Sequence, residues 1–381
     1  MILMRQEIRG FRAVRDAARN WEEYSSDLLG DRDVRSYRQL PLEADPPRHT
    51  KFRMALSEFF SSGSIEPHEK AFEELAERLL NNVEGKKRFK VEEDLVLPFV
   101  IGCLTIIYSR QQDFDEWVSW GPDVWTAASY QRGETDANSQ AALRERDFSV
   151  PTTRSGETLQ AYLTRVFDEA EARVSNGDDT RDVWDFVAAM EIDGRRVDRL
   201  EMQGVANVLL AGGRDTVIKL LSGFVWHLVK NPQDVSLLQS QKENLKSAIG
   251  EMARFISPLP RMERAPREYA VGPDSEREVE KYVLLSFVSA NHDKSQWENP
   301  NVVDFTRERN PHIAFGFGAH SCLGQNITEF EGSAFLRALL PRIRNWRFAA
   351  EPVIDWARAE LEDGNETVHI SSFLDLQIVT V

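Results

Sequence analysis

The residues best suited to chemistry lie in one ten-residue string, FGFGAHSCLG, at residues 315–324. Cys322 stands near its end, and the apolar residues that follow recur at helical spacing, so the cysteine should lie at a helix N-terminus. The helix dipole favours a thiolate over a thiol at that position. Gly316, Gly318 and Gly324 can take backbone angles closed to other residues, which lets the loop fold tightly around the sulfur. The string therefore predicts an anionic sulfur ligand in a protected niche, as an iron ion held by cysteine requires.

Cys322 could also have a purely structural role or bind zinc. A lone cysteine is most often a small buried hydrophobic residue. A zinc site through His320 and Cys322 is less favoured, because Cys103 is the only other cysteine and no CxxC pair exists.

An acid and an alcohol, Asp215 and Thr216, lie midway along the longest predicted helix, at about residues 198–229. They follow Gly212 and Gly213, and each glycine inside a helix costs about 1 kcal/mol relative to alanine. Such a helix is either closely approached by another group or distorted. Thr216 can hydrogen-bond back to the carbonyl group of Gly212, which promotes a bend. The arrangement suits proton delivery, while tight helix packing with an ion-paired Asp215 is the alternative.

Two further pairs of charged or polar residues have helical spacing. His49 and Arg53 lie four residues apart in the string DPPRHTKFR, and Glu251 and Arg254 lie three residues apart. Residues at these spacings share one face of a helix. Taken singly, each pair is better explained as solvated surface charge.

Together, these strings resemble the sequence motifs of the cytochrome P450 family. Residues 315–324 fill the family pattern FGxGxHxCxG at every fixed position, and DPPRHTKFR resembles the family's DPPxHTxxR segment. The segment AGGRDT resembles the family's oxygen-activating helix. The resemblance extends over about residues 20–381, and it implies a mainly α fold with small β-sheets and a bound haem.

The resemblance also implies a role for each candidate residue. Cys322 would be the axial ligand of the haem iron, and Asp215 and Thr216 would bring protons to dioxygen during catalysis. A buried structural network would join Glu251, Arg254 and Arg307. The residues expected to contact the haem or its propionates are Cys322, His49, Arg53, Arg264, His320, Gly212 and Phe315.

The implied activity is that of a haem-thiolate monooxygenase. It would insert one oxygen atom of O2 into a small to medium, mainly apolar substrate, with haem b as cofactor. A peroxide-driven haem-thiolate enzyme and a non-catalytic haem-binding protein are the alternatives, and the intact acid–alcohol pair argues against the first. By analogy, the substrate would contact Leu209, Leu259, Phe373 and Leu374.

Electrons should come from a separate protein, because the sequence contains no GxGxxG flavin loop and no iron–sulfur cysteine set. A ferredoxin or flavodoxin with its reductase is implied, so NAD(P)H would act only indirectly. Arg337, Arg342 and Arg344 are predicted to form a local basic face for this partner.

Composition excludes several other function classes. The net charge of -15, from 47 basic and 62 acidic residues, argues against nucleic-acid binding. The chain is charged from its fifth residue, and its most apolar segment, residues 95–108, is too short to span a bilayer. Two distant cysteines give no disulfide framework. The sequence therefore predicts a cytoplasmic protein without membrane insertion.

The candidate residues would be positioned by a single domain over residues 1–381, built mainly from helices. Predicted strands cluster at residues 86–91, 268–290 and the C-terminus, and a further helix is predicted at 114–130. Only 44 residues precede Asp45-Pro46-Pro47, fewer than is usual in the family. An N-terminal helix and a strand hairpin are therefore predicted to be shortened or missing.

Overall fold

Helices predominate in the computed structural model, which describes residues 6–27, 37–120, 157–242, 245–267 and 282–381. In chain order the helices are α1 (Phe11–Arg19), α2 (Arg48–Ser57), α3 (Ser62–Ile65), α4 (Glu69–Gly85), α5 (Leu97–Ile107), α6 (Phe114–Ser119), α7 (Glu157–Asn176), α8 (Val183–Ala189), α9 (Arg199–Gly212), α10 (Asp215–Lys230), α11 (Pro232–Ser240), α12 (Lys246–Ile256), α13 (Phe287–Asn291) and α14 (Gln325–Leu339). A π-helical turn, Glu92–Val96, leads into α5.

Eleven short strands in these ranges form small sheets: β1 (Glu7–Ile8), β2 (Tyr24–Ser25), β3 (Arg88–Lys90), β4 (Glu191–Ile192), β5 (Arg195–Arg196), β6 (Arg261–Pro266), β7 (Val283–Ser286), β8 (Trp346–Phe348), β9 (Val353–Glu360), β10 (Glu366–Asp375) and β11 (Gln377–Thr380). The largest sheet has the order β1-β7-β6-β2, in which β1 pairs parallel with β7 and the other pairs are antiparallel. A second sheet has the order β3-β11-β8, and β9–β10 and β4–β5 are hairpins. The predicted mainly α fold with small sheets is confirmed.

Several predicted boundaries differ from those of the structure. The strand predicted at 86–91 is β3, and the apolar segment 95–108 forms the buried helix α5. Residues 121–130 of a predicted helix and residues 268–281 of the predicted strand region lie outside the described residues. The sequence did not predict β6, whose alternating charged residues obscure it.

The single helix predicted over 198–229 is wrong, because the chain forms two helices that meet at Gly213 and Arg214. A β-carbon at Gly213 would lie 2.9 Å from Cδ2 of Leu104 on α5, so glycine allows this close approach without displacing the leucine. Arg214 leaves helical geometry, and its buried guanidinium donates to the carbonyl oxygen of Trp117 at 3.0 Å. Packing against α5 and α6 therefore fixes the helix break.

An N-terminal capping box and contacts with the hydrophobic core position α9. Asp198 accepts a hydrogen bond from the amide of Glu201, and the Glu201 carboxylate accepts one from the amide of Asp198, both at 2.9 Å. This capping box satisfies two otherwise unpaired amides. The interior of the helix is buried in the main hydrophobic core.

None of the helices in the described ranges is long and apolar enough to cross a membrane.

One acid in the main core has no counter-charge. Glu331, on α14, is fully buried, and neither of its carboxylate oxygens has a hydrogen-bond partner among the residues described. Burial raises the pKa of Glu331 well above its usual value. Burial raises the pKa of Cys103 and of Tyr108, and a charged Glu331 would raise both further. We conclude that Glu331 is a neutral carboxylic acid in the folded protein at neutral pH.

We expect the Glu331→Gln variant to change how stability depends on pH. Because folding raises the pKa of Glu331, its contribution is fully present below the unfolded-state pKa and is lost as pH rises towards the folded-state value. Over that interval the wild type should lose up to about 1.4 kcal/mol per pH unit relative to the variant. Urea unfolding between acidic and alkaline pH measures this difference.

Glu329→Gln on the same helix is the matched control, because Glu329 is paired with Lys246 at 3.3 Å. Parallel pH profiles for the wild type and Glu331→Gln would contradict a neutral Glu331.

Candidate functional site

The cysteine loop folds back on itself immediately before α14. The amide of Cys322 donates to the carbonyl oxygen of Phe315 at 2.7 Å, and a 3-10 turn spans Gly318–His320. Gly316 and Gly318 have φ angles of 71° and 74°, in the region that favours glycine. The fold expected from the glycine spacing is therefore present.

The Cys322 thiol is accessible, although protein atoms surround it closely. The residue is exposed, yet burial raises the pKa of the Cys322 thiol, while a hydrogen bond from the Gly324 amide and the charge of Arg53 lower it. These observations agree if the sulfur faces a cleft inside the protein. Because burial outweighs the local dipoles, the polypeptide alone does not favour the thiolate as the sequence suggested. A metal cation bound to sulfur would do so.

Basic side chains from three separate elements converge near this loop. His49 and Arg53 project from α2, Arg264 from β6 and His320 from the loop itself. The rings of His49 and His320 lie 4.3 Å apart, and Arg53 donates to Oγ of Ser321 at 3.3 Å. The structure thus brings these four predicted haem-contacting residues together.

These side chains are desolvated without adequate counter-charge. Burial, followed by the charges of Arg264, His49 and Arg53, lowers the pKa of His320 to about 2. Burial lowers the pKa of Arg264 to about 10, and it also lowers the pKa of His49. Both ring nitrogens of His49 and Nε2 of His320 are buried without a hydrogen-bond partner in the described ranges. Such a cluster needs an anion.

Asp45 offsets only part of this charge. Its carboxylate raises the pKa of His49 and of Arg264. It is already engaged, however, by Ser25 and by the amide of Ser26, and it pairs with Arg267 at 3.1 Å. A haem supplies an iron cation for the thiolate and two carboxylates for the basic cluster. The residues therefore fit that group.

The break between α9 and α10 forms the second part of the candidate site. A β-carbon at Gly212 would meet no atom within 4 Å, so the helix is open there. Oγ1 of Thr216 donates to the Gly212 carbonyl oxygen at 3.2 Å, the hydrogen bond expected from the spacing. Asp215 is partly exposed, and its carboxylate lies 3.8 Å from Nε of Arg214. Close packing and open space therefore both occur at the glycine pair, because Gly213 is packed tightly while Gly212 is open.

A second acid near the break was missed by the sequence analysis. Glu92 lies in the π-turn before α5, and burial and the charges of Glu93 and Asp215 raise the pKa of Glu92. In the sequence, the run Glu92-Glu93-Asp94 has the composition of a solvated surface turn. No local pattern indicated that its first residue would lie within electrostatic reach of Asp215.

The predicted Glu–Arg–Arg network is present and buried. Arg254 donates to both carboxylate oxygens of Glu251 at 2.8 Å, and Nε of Arg307 donates to Glu251 at 3.1 Å. Arg254 also donates to the carbonyl oxygens of Asn291, Pro300 and Val302 at 2.7–3.0 Å. The network therefore ties α12 to the segment that leads into the cysteine loop.

The predicted substrate residues do not share one surface. Leu209 and Phe373 belong to the hydrophobic core, whereas Leu259 and Leu374 are exposed. Val208 and Leu209 lie four and three residues before Gly212, so both are on the helix side that carries Gly212. Val208 is half-buried and Leu209 is buried in the core, and Leu209 stays a prediction as a substrate residue. Phe373 packs against Trp226, at a ring separation of 6.3 Å.

The basic face predicted from Arg337, Arg342 and Arg344 is wrong. Arg337 pairs with Glu69 and Glu73, and Arg342 pairs with Glu77 and Glu84, all on the acidic side of α4. Arg344 donates to Ser236 and Gln239. Packing of α14 and the turn after it against α4 neutralises Arg337 and Arg342, which sequence spacing could not reveal.

Comparison with known proteins gives consistent matches. The family model described as cytochrome P450 matches residues 239–349. The putative cytochrome P450 YjiB of Bacillus subtilis is 26% identical over 302 residues, which are 78% of this chain and 72% of that protein. A steroid C26-monooxygenase of Mycobacterium tuberculosis is 26% identical over 345 residues, which are 90% and 87% of the two chains.

The fold is also similar to that of solved structures. A carbohydrate-active P450 superposes with a TM-score of 0.78 at 22% sequence identity, over 98% of this chain and 91% of that one. The fold predicted from the sequence motifs is confirmed by this similarity.

Glu251→Gln should destabilise the protein strongly, because it leaves Arg254 buried without its carboxylate partner. Breaking a buried pair in this way typically costs roughly 3–5 kcal/mol, measured as the free energy of unfolding in urea. The control is Glu74→Gln. Glu74 pairs with Lys70 at 3.7 Å, and both side chains are exposed, so loss of this pair should cost less than about 0.5 kcal/mol. Equal effects of the two changes would contradict a structural role for the network.

Proposed function

Because this chain belongs to the cytochrome P450 family of haem monooxygenases, we propose that it uses O2 to oxygenate a small to medium, mainly apolar organic substrate. Haem b would be the cofactor, with Cys322 as its axial ligand. Electrons would come from a ferredoxin or flavodoxin and its reductase, so NAD(P)H would act indirectly.

The observation that carries this proposal is the accessible thiol of Cys322 beside an unneutralised basic cluster. His49, Arg53, Arg264 and His320 would hold the haem propionates, and the removal of uncompensated positive charge would contribute to haem binding. When bound, haem supplies the activation of dioxygen, which its thiolate ligand favours.

The break between α9 and α10 would provide the residues for proton transfer. The partly exposed Asp215 can exchange protons with water, and the Thr216 hydroxyl is held by the Gly212 carbonyl group. We assign proton transfer towards the site to Asp215 and Thr216. Glu92 lies within electrostatic reach of Asp215, because the charge of Asp215, after burial and the charge of Glu93, raises the pKa of Glu92.

The substrate class is proposed from this chain's own apolar residues. Val208 is half-buried on the side of α9 that carries Gly212, and Leu259 and Leu374 are exposed. Leu209 and Phe373 would form a second layer that supports this surface. The similar proteins include one named for steroids and one structure titled carbohydrate-active, so their names do not define one substrate.

Replacing the ligand tests the assignment directly. Cys322→Ala should abolish the thiolate-type spectrum of the dithionite-reduced, CO-bound protein, because no other sulfur would reach the iron. Cys103→Ala removes the only other cysteine, which is buried in the core, and should retain that spectrum. A thiolate-type spectrum in Cys322→Ala, or its absence from the haem-loaded wild type, would contradict the proposal.

Thr216→Ala should separate electron consumption from product formation. With a ligand chosen for its shift of the ferric spin state, we expect continued NAD(P)H consumption, with hydrogen peroxide replacing the oxygenated product. Thr216→Ser keeps a hydroxyl group and should retain most of the coupling. The ratio of product to NAD(P)H measures the effect, and full coupling in Thr216→Ala would refute proton transfer by this residue. Turnover that requires added peroxide would instead indicate the peroxide-driven alternative.

A further inference from the structure

Three arginines on α1 form a stripe of positive charge. Arg12, Arg15 and Arg19 are spaced by three and four residues, so they lie on one side of the helix. Arg12 and Arg19 are exposed, and Arg15 is half-buried. None of the three pairs with a carboxylate within the described residues, although Asp16 lies on the same helix. We call these three residues the arginine patch.

This arrangement is unfavourable for the helix alone. Like charges three or four residues apart destabilise a helix by a few tenths of a kcal/mol per pair. In a chain with a net charge of -15, acidic partners are plentiful, and Arg337 and Arg342 each have two of them. The arginine patch is therefore a local exception to an acidic surface.

The patch is in direct contact with the cysteine loop. The guanidinium groups of Arg15 and Arg19 lie 4.9 Å and 5.2 Å from the centre of the Phe317 ring. A β-carbon at Gly318 would lie 2.9 Å from Cα of Arg19, so the end of α1 and the loop backbone touch. Phe317 is half-buried and stands five residues before Cys322. The patch and the loop thus form one continuous surface.

We propose that the arginine patch is the docking surface for a small acidic one-electron carrier of the iron–sulfur ferredoxin type. This inference rests on the proposed function, since it requires a haem held by Cys322. In this step one electron would pass from the reduced iron–sulfur cluster of the carrier to the ferric iron of a haem held by Cys322, and no covalent bond would form or break. Docking beside Phe317 would bring the carrier to the loop that holds the iron.

Charge complementarity should act mainly on the rate of encounter. Opposite charges on two surfaces accelerate association at low ionic strength, and salt screens this effect when the Debye length falls to about 10 Å or less. Because most of this chain's surface repels an acidic carrier, a local positive patch would also orient the complex. Both effects depend on the charge of the patch.

The experiment reverses two of the three charges. Arg12→Glu/Arg19→Glu keeps Arg15 and its contact with Phe317. The control, Arg78→Glu/Arg196→Glu, changes the net charge equally at two exposed arginines on α4 and β5. Arg12→Gln/Arg19→Gln removes the charges without reversing them. Circular dichroism and thermal unfolding of each holoprotein establish that the fold is retained.

The main measurement is the rate constant for reduction of the ferric holoprotein by a reduced acidic [2Fe–2S] ferredoxin, at low and high ionic strength. We expect a roughly tenfold or greater loss at low salt for the reversed pair, with an intermediate loss for the glutamine pair. At high salt the rates should converge with that of the wild type. Thermophoresis should show a matching loss of affinity for oxidised ferredoxin.

Reduction by dithionite separates the two proposals. A wild-type holoprotein without a thiolate-type CO spectrum after dithionite reduction would refute the proposed function. If that spectrum is present, unchanged ferredoxin kinetics and affinity in Arg12→Glu/Arg19→Glu would overturn the docking proposal. An equal loss in the control pair would also overturn it, because the effect would then reflect net charge alone.

Discussion

Desolvation of positive charge around the cysteine loop is the constraint on which the candidate site depends. Arg264 and His49 are buried, and their ordinary protonated forms are disfavoured in the polypeptide alone. The same burial raises the pKa of the Cys322 thiol. A bound group that places a cation beside the sulfur and anions beside the arginine and histidines would offset the desolvation of both the thiolate and the basic side chains. The loop, α2 and β6 are therefore brought together in a way that stabilises a site only when such a group is bound.

The rest of the fold keeps these elements in place. The Glu251–Arg254–Arg307 network joins α12 to the segment before the loop by hydrogen bonds that are almost entirely buried. On the other side, α1 contacts the loop at Gly318. The loop is thus held at both sides by contacts that do not involve the cysteine, which leaves its thiol accessible.

The sequence predicted the local geometry of the site better than its surroundings. The cysteine loop, the His49–Arg53 spacing and the Thr216–Gly212 hydrogen bond depend on local spacing, and local spacing is directly visible in a sequence. The pairing of Arg337 and Arg342 with α4 depends on which helices are neighbours, and this is set by tertiary packing. Their predicted role was wrong for that reason. The sequence did not indicate Glu92 or the arginine patch for the same reason. Glu92 matters because it lies near Asp215, and the patch because it contacts the cysteine loop, and both neighbours are distant in the chain.

The error within the long helix has a different origin. The glycine pair indicated a distortion, but propensity could not distinguish a bend from a complete break, which is decided by the contact between Gly213 and Leu104.

The contact between Gly213 and Leu104 also affects how the region around the helix break could change through mutation. Leu104 lies on the mostly apolar helix α5 and is not among the residues assigned to chemistry, yet its side chain limits how closely α5 approaches the break. The space around the break is therefore set in part by the hydrophobic core. Exchange of Leu104 for another aliphatic residue would alter that space and leave every side chain proposed for catalysis unchanged.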